Sequence, residues 1–279
     1  MLPETNLKDM TNSPIVFAGI APHPPIMVPE VGGEMIAEVI KSVEAMRVFA
    51  RRVVESGATT AVIISPHAPL EADSFVAYAD TQLRGDFANF RAPQATVNAE
   101  SDAEMLEAIS AEAARDGYRI TPVEDHRLDH GTAVPLYFLQ RNGFHGRLVA
   151  LGYSFLPDED HTRFGASVRR AIEATARPAA FIASGDLSHR LKPGAPAGYN
   201  PDAHYFDEEV VEAVSSGAPE RIADIARDLR RLAGECGYRS MLVAIGASSG
   251  VEQDCEVLHY EAPFGVGYLV AQLARASRH

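Results

Sequence analysis

Short, uninterrupted apolar runs alternate with longer stretches of helical spacing, and this alternation constrains the fold most strongly. Residues 60–64 (TAVII) form a continuous β-branched run, which is typical of a strand buried on both faces. Residues 33–55, just upstream, carry apolar side chains at helical spacing. The alternation predicts a single α/β domain with a central, mostly parallel or mixed sheet and helices on both faces.

The remaining elements follow from the same patterns. Further strands are predicted over residues 15–20, 147–151, 179–183, 257–260 and 266–271. Helices are predicted over residues 102–116, 132–140, 163–176 and much of 203–247, with irregular strands and loops over 75–97. Because residues 1–13 are polar and mix both charges, we expect a flexible tail followed by one domain over residues 14–279.

Composition limits the classes of partner. The net charge of −13 is scattered along the chain, which argues against a nucleic-acid-binding protein because such proteins need a basic face. No apolar run reaches the length of a membrane span, and the N-terminus lacks a secretory signal, so we expect a cytoplasmic protein. Cys236 and Cys255 are the only cysteines, and neither belongs to a CxxC motif.

Three predicted strands end in loops that carry a histidine within a few residues, namely His23, His67 and His189. In open α/β sheets, ligands bind beyond the carboxyl ends of the strands. The sequence therefore predicts a functional site where these loops meet.

His23 and His67 stand in matching settings. Each follows a proline at the end of an apolar strand, and more prolines come after it, in APHPP and SPHAP. Proline restricts the backbone, so each imidazole is held in one direction before a metal binds. Imidazole suits Fe(II), Zn(II) and Mn(II). A lone loop histidine more often bonds a nearby carbonyl, but the matched pair favours metal ligation.

A third ligand is needed, and two histidines with one carboxylate form a facial triad with open positions. Glu235 is the candidate, because the flanking glycines in GECG allow close backbone approach. Cys236 is the alternative, and its thiolate would make a softer site that suits oxygen chemistry less well. Three acids of an apparent exposed helix face are weaker rivals: Asp207, Glu208 and Glu209.

Two further histidines are candidates for proton transfer. His189 closes the segment SGDLSH after a predicted strand, and His130 lies in LDHG beside Asp129, an acid that could orient a ring. Histidine suits proton transfer near neutral pH. The alternative is that both are buried structural donors. Nucleophile-elbow, Walker A and HExxH motifs are absent from the sequence, which argues against those enzyme classes.

Four motifs in this order resemble the LigB superfamily of class III extradiol dioxygenases, which includes the Memo-like proteins. They are the Pro-His loop at His23, Ser-Pro-His at His67, Asp-His-Gly at His130 and Gly-Asp-Leu-Ser-His at His189. The resemblance implies an α/β fold and a non-haem Fe(II) site, with Zn(II) or Mn(II) as alternatives. It implies His23, His67 and Glu235 as ligands, His189 as the acid/base of ring cleavage, and His130 as a second pocket histidine.

One segment differs from the dioxygenase pattern and leaves more than one function compatible with the sequence. Residues 236–239 also resemble the segment where Memo-like members place a cysteine at the metal site. The first hypothesis is therefore an Fe(II)-dependent dioxygenase that opens a catecholic or aminophenolic ring with O2. The second is a Memo-like metal-binding protein with a redox or interaction role and no ring cleavage, and the third is a Zn-dependent hydrolase. The expected partners are a small aromatic diol or aminophenol and O2, with no nucleic acid and no membrane; a homo-oligomer is compatible with the sequence.

Overall fold

The computed structural model describes residues 13–276, so most of the predicted tail over residues 1–13 lies outside the described residues. Within residues 13–276, ten strands follow one another: β1 (Ile15–Ala21), β2 (Thr60–Ser65), β3 (Phe75–Tyr78), β4 (Gln82–Phe87), β5 (Ala92–Glu100), β6 (Ile120–Val123), β7 (Arg147–Gly152), β8 (Ala179–Ser184), β9 (Gln253–Glu261) and β10 (Tyr268–Arg275).

Eight α-helices separate or follow these strands: α1 (Pro29–Gly32), α2 (Ile40–Glu55), α3 (Ala103–Arg115), α4 (His130–Arg141), α5 (Asp158–Thr175), α6 (His204–Ser215), α7 (Arg227–Ala233) and α8 (Tyr238–Ser248). Short 3₁₀ segments add turns at Pro25–Met27, Gly33–Val39, Ala88–Phe90 and Pro219–Asp224. Among the described residues, none of the helices combines the length and apolar character needed to cross a membrane.

Eight strands form one mixed sheet in the order β6-β3-β7-β2-β8-β1-β10-β9. The four central strands, β7, β2, β8 and β1, run parallel to one another, whereas β10 and β3 run antiparallel to their central neighbours. Because β8 lies between β1 and β2, the loops that follow these three strands open at the same rim of the sheet. Those loops carry His23, His67 and His189.

Helices cover both faces of the sheet, as the sequence predicts. One apolar layer joins the sheet to α3, α5, α6 and α8, with Phe164 and Met241 among its buried side chains. The other joins it to α2, α4 and the β4-β5 hairpin, and Phe49 and Leu83 are buried there. The predicted α/β single-domain fold is confirmed.

The structure departs from the sequence pattern at several element boundaries. Residues 33–39 are 3₁₀ rather than α-helical, and Gly33, with φ of 50°, separates α1 from this segment. Residues 75–97 form three defined strands rather than irregular structure. The edge strand β6 escaped prediction because it is short and contains Pro122, which is tolerated only where a strand lacks a neighbour on one side.

Candidate metal centre

His23 is buried at the end of β1, with 2% of its surface exposed. Its backbone N–H donates to Asp186 Oδ1 at 3.0 Å, and its Nδ1 lies 2.9 Å from Ser184 Oγ. The Ser184 hydroxyl donates to the carbonyl of Gly131 at 2.5 Å, so it must accept a hydrogen bond from His23 Nδ1. The His23 ring therefore carries its proton on Nδ1 and turns the lone pair of Nε2 toward the site.

The carbonyl of Gly131 is free to accept this bond because of a proline inside α4. Pro135 has no N–H and cannot donate to the residue four positions earlier, which is Gly131. Ser184 on the neighbouring strand β8 donates to that carbonyl instead. A helix irregularity in α4 thus selects the tautomer of His23.

His67 follows β2 and reaches the same point from the other side of β8. Its Nε2 lies 3.1 Å from Nε2 of His23, and the two rings are nearly perpendicular, at 83°. Its backbone N–H donates to Ser65 Oγ, and the Ser65 hydroxyl donates to Asp129 Oδ1 at 2.5 Å. In contrast to His23, His67 keeps part of its surface exposed to solvent.

Cys236 completes the cluster from the loop between α7 and α8. Its Sγ lies 3.7 Å from His23 Nε2 and accepts a hydrogen bond from the backbone N–H of Asp186 at 3.4 Å. The loop approaches so closely because two glycines face each other: a Cβ on Gly185 would lie 2.2 Å from the Cα of Gly237. One ligand atom from each of His23, His67 and Cys236 lies within 4.8 Å of the others.

Glu235, the carboxylate that the sequence favoured as third ligand, points elsewhere, and this placement corrects that expectation. Its Oε2 accepts a hydrogen bond from the backbone N–H of Tyr238 at 2.7 Å, at the start of α8. Burial raises the pKa of Glu235 to about 7, and Arg230 and Arg239 oppose that shift. Neighbouring side chains leave the backbone in different directions, so Cys236 rather than Glu235 faces the two imidazoles; the carboxylate of Asp186 also lies 3.8 Å from His23 Nε2.

The weaker acidic rivals are also away from the cluster. Asp207 is buried rather than exposed, and its carboxylate accepts hydrogen bonds from Ser188 N–H and Tyr260 O–H, both at 2.8 Å. Glu208 and Glu209 are exposed on α6. Asp207 therefore supports the backbone beside His189 and does not contribute a ligand atom.

His130 and His189 lie beside the cluster. The His130 ring stacks on that of His67, with 4.2 Å between centroids, and makes an edge contact with Phe90 at 5.4 Å. Asp129 does not bond this ring; it caps α4 by accepting from the backbone N–H of Thr132. The Nδ1 of His189 donates to the Leu187 carbonyl at 2.9 Å, which leaves its Nε2 as a free acceptor.

The four imidazoles are neutral at neutral pH. Burial, together with the other three histidines, holds the pKa of His23 well below its usual value. Burial and His130 lower the pKa of His67 to about 4, and burial also lowers the pKa values of His130 and His189. Neutral imidazoles offer lone pairs to a metal and can accept protons.

The acidic groups of the site also favour their neutral forms. Burial raises the pKa of the Cys236 thiol well above its usual value and raises the pKa of Asp186 to about 7. In the protein without a cation, the Cys236 thiol is therefore protonated at neutral pH. A cation would favour the thiolate form, because metal ligation requires the deprotonated sulfur.

The cluster fits a metal ion. Bonds of about 2.0 Å to nitrogen and 2.3 Å to sulfur separate tetrahedral ligand atoms by roughly 3.3 to 3.7 Å. The His23–His67 and His23–Cys236 separations of 3.1 and 3.7 Å lie close to that range. Since His67 is exposed, the ion would keep a side open to solvent or to a small molecule.

Three supporting residues were missed by the sequence analysis. Ser184 and Asp186 hold His23. Tyr153 lies near Cys236 and Glu235, and burial raises its pKa to about 12. The positions of two of them in the sequence could have indicated a role in the site. Ser184 ends β8 and Tyr153 directly follows β7, so both lie at the rim where the carboxyl ends of the strands meet.

Comparison with known proteins gives three findings. The profile of a family described as the catalytic LigB subunit of aromatic ring-opening dioxygenase matches residues 18–271. Protein CA_C1420 of Clostridium acetobutylicum is 35% identical over 265 residues, covering 91% of this chain and 56% of that protein. The chain thus spans about half the length of this relative.

The crystal structure of an uncharacterized protein, JW3007 from Escherichia coli K12, is similar with a TM-score of 0.55. The match covers 82% of this chain and 92% of that one at 16% sequence identity, which supports a common fold and nothing finer.

Proposed function

The chain belongs to the LigB family. We propose that it binds a transition-metal ion through His23, His67 and Cys236 for a redox role other than ring opening. The observation that carries the proposal is the third donor. A sulfur atom completes the cluster, while the neighbouring carboxylate of Glu235 bonds the backbone of α8.

The sulfur matters because it changes the electronic character of the centre. Two histidines and a carboxylate form the triad typical of non-haem Fe(II) oxygenases, which leaves positions open for substrate and O2. A thiolate is a softer ligand that favours zinc or copper over Mn(II). A bound ion would supply Lewis acidity and, if redox-active, electron transfer.

The side chains around the cluster have three different roles: they orient a ligand, provide a ligand or accept a proton. Ser184 and Asp186 hold His23 in one orientation, so this ligand loses little freedom on binding. Cys236 releases its proton when it becomes a ligand. His130 and His189, both neutral, flank the ligands and can each accept a proton from a bound molecule.

Ring opening is the second candidate, and the same two histidines favour it. An extradiol reaction needs a base for a substrate hydroxyl, and His189 has a free Nε2 beside the ligand pair. In this version the partners are an aromatic diol or aminophenol and O2, with Fe(II) at the centre. Cys236 in place of a carboxylate argues against this version.

The discriminating experiment compares Cys236→Ala with Glu235→Ala. Each protein is loaded anaerobically with Fe(II), Zn(II) or Cu(I), passed over a desalting column and assayed for bound metal. We expect Cys236→Ala to lose nearly all retained metal and Glu235→Ala to keep it, with lower thermal stability because the α8 bond is lost. Retention by Cys236→Ala and loss by Glu235→Ala would reverse the ligand assignment.

Activity separates the two candidate functions. The Fe(II)-loaded protein is mixed with catechols and aminophenols while O2 uptake and product absorbance are followed. We expect retained metal without ring-opened product. O2 uptake coupled to a ring-opened product would establish the second candidate and overturn the first.

A further inference from the structure

A cavity of about 340 Å³ borders the 234–237 loop, and neither of the two clustered histidines nor Cys236 lines it. Its lining residues are mostly arginines: Arg227, Arg230, Arg231, Gly234, Glu235 and Arg239. This concentration is notable in a chain with 25 basic and 38 acidic residues. Helix α7 supplies three of the arginines, at spacings of three and four residues that place them on neighbouring positions of one helix face.

Local acids do not balance this charge. Asp158 pairs with Arg230 at 2.6 Å and approaches Arg239 at 4.0 Å, and Glu235 is the one acid that lines the cavity. Within residues 13–276, Arg227 and Arg231 form no ion pair with an acidic side chain. Against Asp158 and Glu235, the four lining arginines leave an excess of two positive charges.

The arginines are also held in place. The Arg230 guanidinium lies 3.9 Å from the centre of the Tyr238 ring, and Arg239 lies 5.6 Å from that of Tyr153. Stacking on aromatic rings fixes the guanidinium planes and favours recognition of planar or tetrahedral oxyanions through paired hydrogen bonds. At 340 Å³ the cavity is large enough for a small organic molecule.

We propose that this arginine cavity binds the oxyanion group, carboxylate or phosphate, of a small molecule. The inference is independent of the metal centre, although the two sites share a loop: Glu235 lines the cavity and the next residue, Cys236, faces the two histidines. A ligand in the cavity would neutralise the unpaired charges of Arg227 and Arg231.

Isothermal titration calorimetry with phenyl phosphate and with benzoate tests the proposal, in chloride buffer free of other oxyanions. Benzamide serves as the uncharged analogue. We expect at least one anion to bind and benzamide not to bind, and the preferred anion identifies the oxyanion class. The Arg227→Gln/Arg231→Gln double variant should raise the Kd at least about tenfold, because charge-assisted hydrogen bonds are lost. Both side chains are exposed, so the fold should tolerate the changes.

Arg221→Gln is the matched control, since Arg221 is exposed and pairs with Glu212 outside the cavity. It should leave the Kd unchanged. Absence of binding by both anions, equal binding of benzamide, or an unchanged Kd in the double variant would overturn the proposal. Metal content is measured on the same samples, so that loss of metal binding can be distinguished from loss of anion binding.

Discussion

His23 and His67 have nearly the same local sequence but opposite surroundings. His23 is buried, bonded through Nδ1 to Ser184 and through its backbone to Asp186. His67 is exposed, and its ring contacts the other histidines rather than a fixed hydrogen-bond acceptor. The comparison shows a centre with one anchored ligand and one accessible ligand, which is how a site can hold an ion and still admit a small molecule.

The largest expected effect is loss of either imidazole. His23→Ala and His67→Ala should each weaken metal affinity by on the order of 10²- to 10³-fold, because a binding free energy of about 10 to 16 kcal/mol is shared among the ligands. Competition with a chromophoric chelator measures this loss. A His67→Ala protein that keeps full affinity would refute the shared site.

The same two variants should differ in stability. His23→Ala leaves the buried groups that bond the imidazole without a partner, which should lower the free energy of unfolding by roughly 1 to 3 kcal/mol. His67→Ala should change it by less than about 0.5 kcal/mol. Urea unfolding of the metal-free proteins measures both. Equal losses would remove the distinction between an anchored and an accessible ligand.

A buried carboxylate that supports the backbone beside His189 makes stability depend on pH. Burial raises the pKa of Asp207 to about 6, above its value of 3.8 in an unfolded chain. The native state therefore binds this proton more tightly, and stability falls as pH rises through the window from 4 to 6. Asp207→Asn removes the dependence, so its stability relative to wild type should rise by about 3 kcal/mol between pH 4 and 7.

Urea unfolding of the metal-free proteins across this range measures the difference. Asp202→Asn is the matched control, because Asp202 is exposed. A constant difference between wild type and Asp207→Asn at every pH would show that the pKa of Asp207 is the same in the native and unfolded states, so that burial does not raise it.

The smaller effects concern the hydroxyls beside each histidine. Ser184→Ala removes the partner of His23 Nδ1 and should weaken metal affinity by about 10- to 100-fold, the usual cost of losing such a support. Ser65→Ala removes bonds to the His67 backbone N–H and to Asp129 but none to the imidazole, and should cost less than about tenfold in metal affinity. Competition with a chelator measures the metal affinity of both variants. A larger loss of affinity in Ser65→Ala than in Ser184→Ala would contradict the assignment of His23 as the anchored ligand.

Much of the architecture was predictable because it depends on local patterns. The central strands were recognisable as short β-branched runs, and the helices by their spacing. The placement of His23, His67 and His189 at one rim followed from a general property of parallel strands, whose carboxyl ends meet at the same edge. These predictions needed no side-chain geometry.

The third donor was not predictable in the same way. Glu235 and Cys236 are adjacent, and either could face the rim. The contact between Gly185 and Gly237 decides the outcome, since it brings the α7-α8 loop against the end of β8 with the sulfur inward. That contact joins residues more than fifty positions apart and leaves no local pattern.

The sequence by itself determined the sheet, its functional rim and the histidines on it, because strand periodicity and strand-end loops are properties of neighbouring residues. Only the tertiary structure decided which atoms meet there: the thiol rather than the carboxylate, the tautomer of His23 through Ser184 and the Gly131 carbonyl freed by Pro135, and the grouping of arginines from α7 and α8. The physical reason is that hydrogen bonds and close packing between distant segments fix side-chain directions, and these contacts exist only once the chain has folded.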